Sequence, residues 1–133
     1  MERIYQDYSG DVESLINLVI IEAVALVDEI NDDVILIWLK EKNSNLWLRI
    51  FIDGVYCGID RYKNNEIELD DDDGIERVNL TECFNNREIK SAVVSSENSK
   101  ITLALSFIDA VFKLICTSEK GECHYNFEYK ANT

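Results

Sequence analysis

The stretch LWLRIFIDGVYCGIDRY, from Leu46 to Tyr62, decides the fold. Its centre, Asp53-Gly54, is a strong short hairpin signal, because both residues tolerate the positive φ that a two-residue turn demands. Such a turn pairs Ile52 with Val55, Ile50 with Cys57, Leu48 with Ile59 and Phe51 with Tyr56. One face then reads Leu46, Leu48, Ile50, Ile52, Val55, Cys57 and Ile59, an aliphatic surface that demands burial. The reverse carries Trp47, Arg49, Phe51, Tyr56 and Asp60. A slip of one residue would exchange the two faces, so the alternation itself argues for paired strands.

Working outward, Val34 to Leu39 reads as the preceding strand, turning at Lys42 to Asn45. With Leu39 opposite Leu46, Ile35 and Ile37 join the aliphatic face, and Val34, Leu36 and Trp38 join the aromatic one. Both faces of this sheet carry large apolar groups and need cover. Further upstream, Ser9-Gly10-Asp11 reads as a helix start, giving a short helix over 11–17. The β-branched density that follows favours a strand over 19–29, although the spacing of Val12, Leu15, Ile16, Val19 and Ala23 also fits a helix continuing to 28.

Downstream, residues 63–76 form a charged loop. Val78, Leu80, Cys83 and Phe84 follow as a strand or as one helical turn capped by Thr81. The remainder reads as a meander of strands Glu88–Ser95, Lys100–Phe107, Ala110–Thr117 and Glu122–Lys130. The expected architecture is α+β and mainly antiparallel β. It is a twisted or curled sheet, or a two-layer β-sandwich, of six to eight strands with one short N-terminal helix, in a single domain over 1–133.

Twenty-six acidic against 13 basic side chains give a net charge of −13. Such a field repels nucleic acid and suits a basic protein partner. No window holds the roughly 18 consecutive apolar residues of a membrane span, and MERIYQDYSGD is not a signal peptide, so a cytoplasmic protein away from membranes is expected. The cysteines lack Cys-x-x-Cys spacing and the chain has one histidine, so neither zinc nor any other cofactor is expected. Cys116 and Cys123 flank a turn and are expected to face one another across a hairpin as free thiols.

Two constellations are candidates for binding. The first is the run Glu66, Glu68, Asp70, Asp71, Asp72, Asp73 and Glu76. As an EF-hand it fails: with Gly74 at the glycine position, Leu69 and Leu80 stand where ligands belong. It reads instead as a solvated loop or as a surface for lysines and arginines of a partner, with Glu68, Asp70, Asp71, Asp72, Asp73 and Glu76 as contacts. The second is the face with Trp47, Arg49, Tyr56 and Asp60, either interface or core under the N-terminal helix; a buried Arg49 there needs Asp60 or Asp53 as its carboxylate. Catalysis has little to draw on, since His124 and Cys123 are strand neighbours that point to opposite faces.

A small acidic β-rich chain with a pattern like LWLRIFIDGVYCGID resembles the immunity proteins of bacterial polymorphic-toxin systems, including contact-dependent growth inhibition. The resemblance implies a non-enzymatic cytoplasmic protein that binds one cognate toxin domain, often a basic nuclease, and occludes its active site. It carries over no residue by position. The alternatives are a small β-barrel or sandwich that binds a small molecule between its sheets, with Trp38, Trp47 and Tyr56 as the lining, and a homodimeric module; monomer and homodimer are both open.

Overall fold

The hairpin forms, and it keeps both faces while shifting its register. In the computed structural model, which describes residues 5–7, 9–30, 33–44, 46–53, 56–63, 74–119 and 122–131, strand β4 (Trp47–Asp53) pairs with β5 (Tyr56–Tyr62). The partners are Phe51 with Gly58, Ile50 with Ile59, Arg49 with Asp60 and Leu48 with Arg61, two residues from the expected register. An even shift leaves each described side chain on its face, so the aliphatic and aromatic surfaces survive. The physical reason is Phe51, whose ring lies over a glycine: a Cβ on Gly58 would fall 2.7 Å from Phe51 Cε1. Tyr56 opposite Phe51 would deny the ring that space.

The same correction holds one strand upstream. β3 (Val34–Glu41) pairs Leu39 with Leu48 and Lys40 with Trp47, again two residues from expectation. The strand runs on to Glu41, whose carboxylate accepts the N–H groups of Asn43 and Ser44 and so closes the turn. β2 (Ile20–Asp28) completes the strand reading of this region, preceded by a 3-10 helix over Ser9–Leu15. With the short edges β1 (Tyr5–Asp7) and β6 (Ile75–Asn79), the first sheet has the order β1-β5-β4-β3-β2-β6.

The second sheet is the expected meander, in the order β10-β9-β8-β7: β7 (Ser91–Glu97), β8 (Lys100–Ser106), β9 (Ala110–Glu119) and β10 (Glu122–Ala131). All pairings among the described residues are antiparallel. The fold is therefore a two-sheet antiparallel assembly, not a closed barrel, with ten strands among the described residues. The strands beyond the expected six to eight are short edges whose sequences alternate too briefly to announce themselves.

One buried cluster draws on both sheets, with Ala23, Ala25, Ile37, Leu39, Leu48, Ile50 and Ile59 from the first and Leu103, Leu105, Phe112 and Leu114 from the second. Val12 and Leu15 of the 3-10 helix join it, so that helix covers the aliphatic side and not the aromatic face. After β6 a single turn, α1 (Thr81–Phe84), inserts Phe84 against Phe107 and Phe112 at 5.5 and 5.1 Å between centroids. Thr81 does not cap it. Its hydroxyl accepts the Ala23 N–H at 3.1 Å and so ties α1 to β2, while Asn79 Oδ1 accepts the Thr81 N–H. Arg87 fastens the far side, donating to Cys83 O, Phe84 O, Asp109 and the Tyr129 hydroxyl.

Cys116 and Cys123 are not directly opposed: Cys116 pairs with Tyr125 and Cys123 with Ser118. The two cysteines are diagonal neighbours and neither is in a disulfide, nor is Cys83.

Candidate functional site

The aromatic face is assembled as the alternation requires but is buried. Trp38, Trp47 and Tyr62 form a cluster with 3%, 4% and 4% exposure on the side of the first sheet away from the second. Trp38 meets Trp47 edge-on at 6.5 Å and Tyr62 at 5.4 Å. Arg49 stands directly opposite Asp60, forms an ion pair with it, and lies over the Phe51 and Tyr62 rings at 5.4 and 5.5 Å. Asp60 is wholly buried and Arg49 a quarter exposed, so the arginine reaches solvent and the carboxylate does not. Asp60, not Asp53, is its described partner. The indole N–H of Trp38 is buried with no acceptor among the described residues. Trp47 and Asp60 are thus held within the fold, and the Tyr56 side chain lies outside what is described. Since Trp38 and Trp47 face away from the space between the sheets, they do not line an interior ligand cavity.

The acidic run divides. Glu68, Asp70, Asp71, Asp72 and Asp73 lie outside the described residues, as does Glu66. Glu76 is described: it is exposed at the start of β6. That strand begins beside the end of β2, where Asp28 pairs with Ile75 and the Glu29 N–H donates to Gly74 O at 2.9 Å.

Topology brings further carboxylates to the same end. The β2–β3 turn, the start of β6, the β7–β8 turn and the β9–β10 turn all lie there. Asp33 joins the two sheets at this end, accepting the Tyr125 N–H at 3.1 Å and standing 3.7 Å from His124 Nδ1. The β7–β8 and β9–β10 turns are joined by Ser118 N–H donating to Ser99 O at 2.8 Å. Asp28, Glu29, Asp33, Glu76, Glu97, Glu119 and Glu122 therefore share one end, with Lys100 and Arg77 as its described cations. Asp28 and Asp33 are half-buried and the other acids are exposed.

The opposite end has a different balance. There the Val19–Glu88 bridge links the sheets, and Lys40, Lys42, Arg61, Lys63, Arg87, Lys90 and Lys130 offset Glu13, Glu22, Glu41, Glu82, Glu88 and Asp109. Among the described residues the negative excess is concentrated at one end of the molecule. Sequence reasoning missed this because the acids are scattered over four segments. The available signal was that Asp28-Glu29, Glu97 and Glu119 each border a turn.

The end also holds a hollow of about 320 Å³ lined by Asp33, Glu122, Cys123 and His124. His124 is half-exposed and lies 3.6 Å from Glu122 as well as near Asp33, so its two nitrogens face different carboxylates. No group of His, Cys, Asp and Glu among the described residues is arranged to hold a metal ion. Beneath, burial lifts the Tyr125 phenol well above its ordinary pKa of 10.0, and the neighbouring Cys116 and Cys123 thiols add to the rise.

Compared with known proteins, the chain matches no family model, no curated protein and no solved structure.

Proposed function

We propose that this protein is a non-catalytic binding protein of the immunity type, which docks its acidic end onto the cationic surface of a protein partner and blocks it. The observation that supports the reading is the segregation of charge: carboxylates from the two sheets meet at one end, while the other end is nearly balanced. Clustered carboxylates in front of a lysine- and arginine-lined cleft compete with phosphates for the same donors. A basic nuclease-type toxin domain is the partner class that fits, and its inhibition needs no bond making by this chain.

The test is a pair of charge reversals in the full chain, used as bait in its own cells. Glu29→Lys, Glu97→Lys and Glu119→Lys together should abolish capture of a basic protein that the unaltered chain retains. Glu13→Lys and Glu82→Lys together, at the other end, should leave capture intact. Equal loss from both sets, or loss from neither, overturns the reading.

A further inference from the structure

We propose that β10 is a self-pairing edge, onto which β10 of a second copy of this chain adds antiparallel about a two-fold axis at Asn126. β10 closes the order of its sheet, and among the described residues no strand pairs with its outer side, which β3 approaches and Asp33 caps at Tyr125. Most of its side chains are exposed, and the chain contains no proline to blunt the edge.

The direction of the main-chain groups fixes which registers are open. Tyr125 N–H donates to the Asp33 carboxylate at 3.1 Å, so it points away from β9. Alternation along the strand then turns the main-chain groups of Cys123, Phe127 and Tyr129 outward as well. A two-fold pairing must oppose outward-pointing residues. Centred on Asn126, it sets Tyr125 against Phe127 and Cys123 against Tyr129 of the second copy, which exchange main-chain hydrogen bonds. The intervening positions, where opposed side chains stand closest, set Glu122 against Lys130 and His124 against Glu128, each twice by symmetry.

The neighbouring registers lack this match. Centring on Tyr125 opposes Glu122 to Glu128, and centring on Phe127 opposes His124 to Lys130. The sequence Glu-Cys-His-Tyr-Asn-Phe-Glu-Tyr-Lys is thus a charge palindrome in one register only. The other edge of this sheet, β7, carries Glu97 and no cation, so it offers no such match. In the dimer the Phe127 carbonyl of the second copy takes over the Tyr125 N–H, and Asp33 is released. Each copy carries a net charge of −13, so salt that screens their overall repulsion favours the dimer.

The experiment measures the mass of the full chain by sedimentation equilibrium up to millimolar concentration, with native mass spectrometry of mixtures. The wild type should pass from 15.3 kDa to twice that mass. Glu122→Lys and Lys130→Glu should each weaken dimerisation by roughly tenfold or more, because like charges replace both attractive pairs. Mixing the two variants should restore a dimer, and specifically the heterodimer, since every such pair is then lysine against glutamate. A wild type that stays at 15.3 kDa, single variants that still dimerise, or a mixture that fails to form the heterodimer overturns the proposal.

Discussion

The Arg49–Asp60 pair makes the sharpest prediction about what holds the first sheet together. Replacing Arg49 by Met keeps most of the side-chain volume and removes the charge. It takes the opposing charge from Asp60, whose side chain has no exposure, and breaking a buried pair from one side costs about 3–5 kcal/mol. Asp60→Asn should cost less, about 1–2 kcal/mol, because Arg49 is a quarter exposed and keeps its contacts with Phe51 and Tyr62. The double variant Arg49→Met with Asp60→Leu removes both charges and should lie within about 2 kcal/mol of the wild type. Urea unfolding followed by tryptophan fluorescence reads this directly, since Trp38 and Trp47 sit in the neighbouring cluster. With a urea slope of about 2 kcal/mol per molar, Arg49→Met should lower the midpoint by about 2 M. A cost under about 1 kcal/mol for Arg49→Met, or a double variant equal to the sum of the singles, would refute the argument.

Gly58→Ala should destabilise by about 1–3 kcal/mol in the same assay, since the new methyl displaces the Phe51 ring; Phe51→Ala in that background should relieve part of the clash. Thr81→Val, nearly isosteric, should cost about 1–3 kcal/mol, because the buried Ala23 N–H loses its acceptor. Tyr125 has its pKa raised above 10.0, so its proton is held more tightly in the folded state. Its contribution is present below pH 10 and is lost as pH rises, since the unfolded chain ionises first. Urea midpoints should therefore fall above pH 10, and less steeply in Tyr125→Phe.

The alternation in Leu46 to Tyr62 was enough to assign faces, because a period of two survives any even error in register. The register itself was not legible: it turned on the pairing of Phe51 with Gly58, a steric match between residues that each look unremarkable alone. The meander from Ser91 to Ala131 was readable from its turns, and Asn98 and Ser99, both at positive φ, form the kind of tight turn that such residues favour. For the site, composition announced an acidic protein and the run before Gly74 drew attention. The acids at Asp28, Asp33, Glu97 and Glu122 are separated in sequence and come to one end only through strand order, which local patterns do not encode. Burial of Trp47 and Asp60 was likewise a property of the assembled sheet.

Hydrogen exchange of the purified complex with the proposed cationic partner tests the central claim most directly. Protection should gather on Asp28–Ile30, Ile75–Arg77, Glu97–Lys100 and Glu122–His124. Protection confined instead to the opposite end, at Lys42–Ser44, Thr81–Lys90 and Phe107–Ala110, would contradict it.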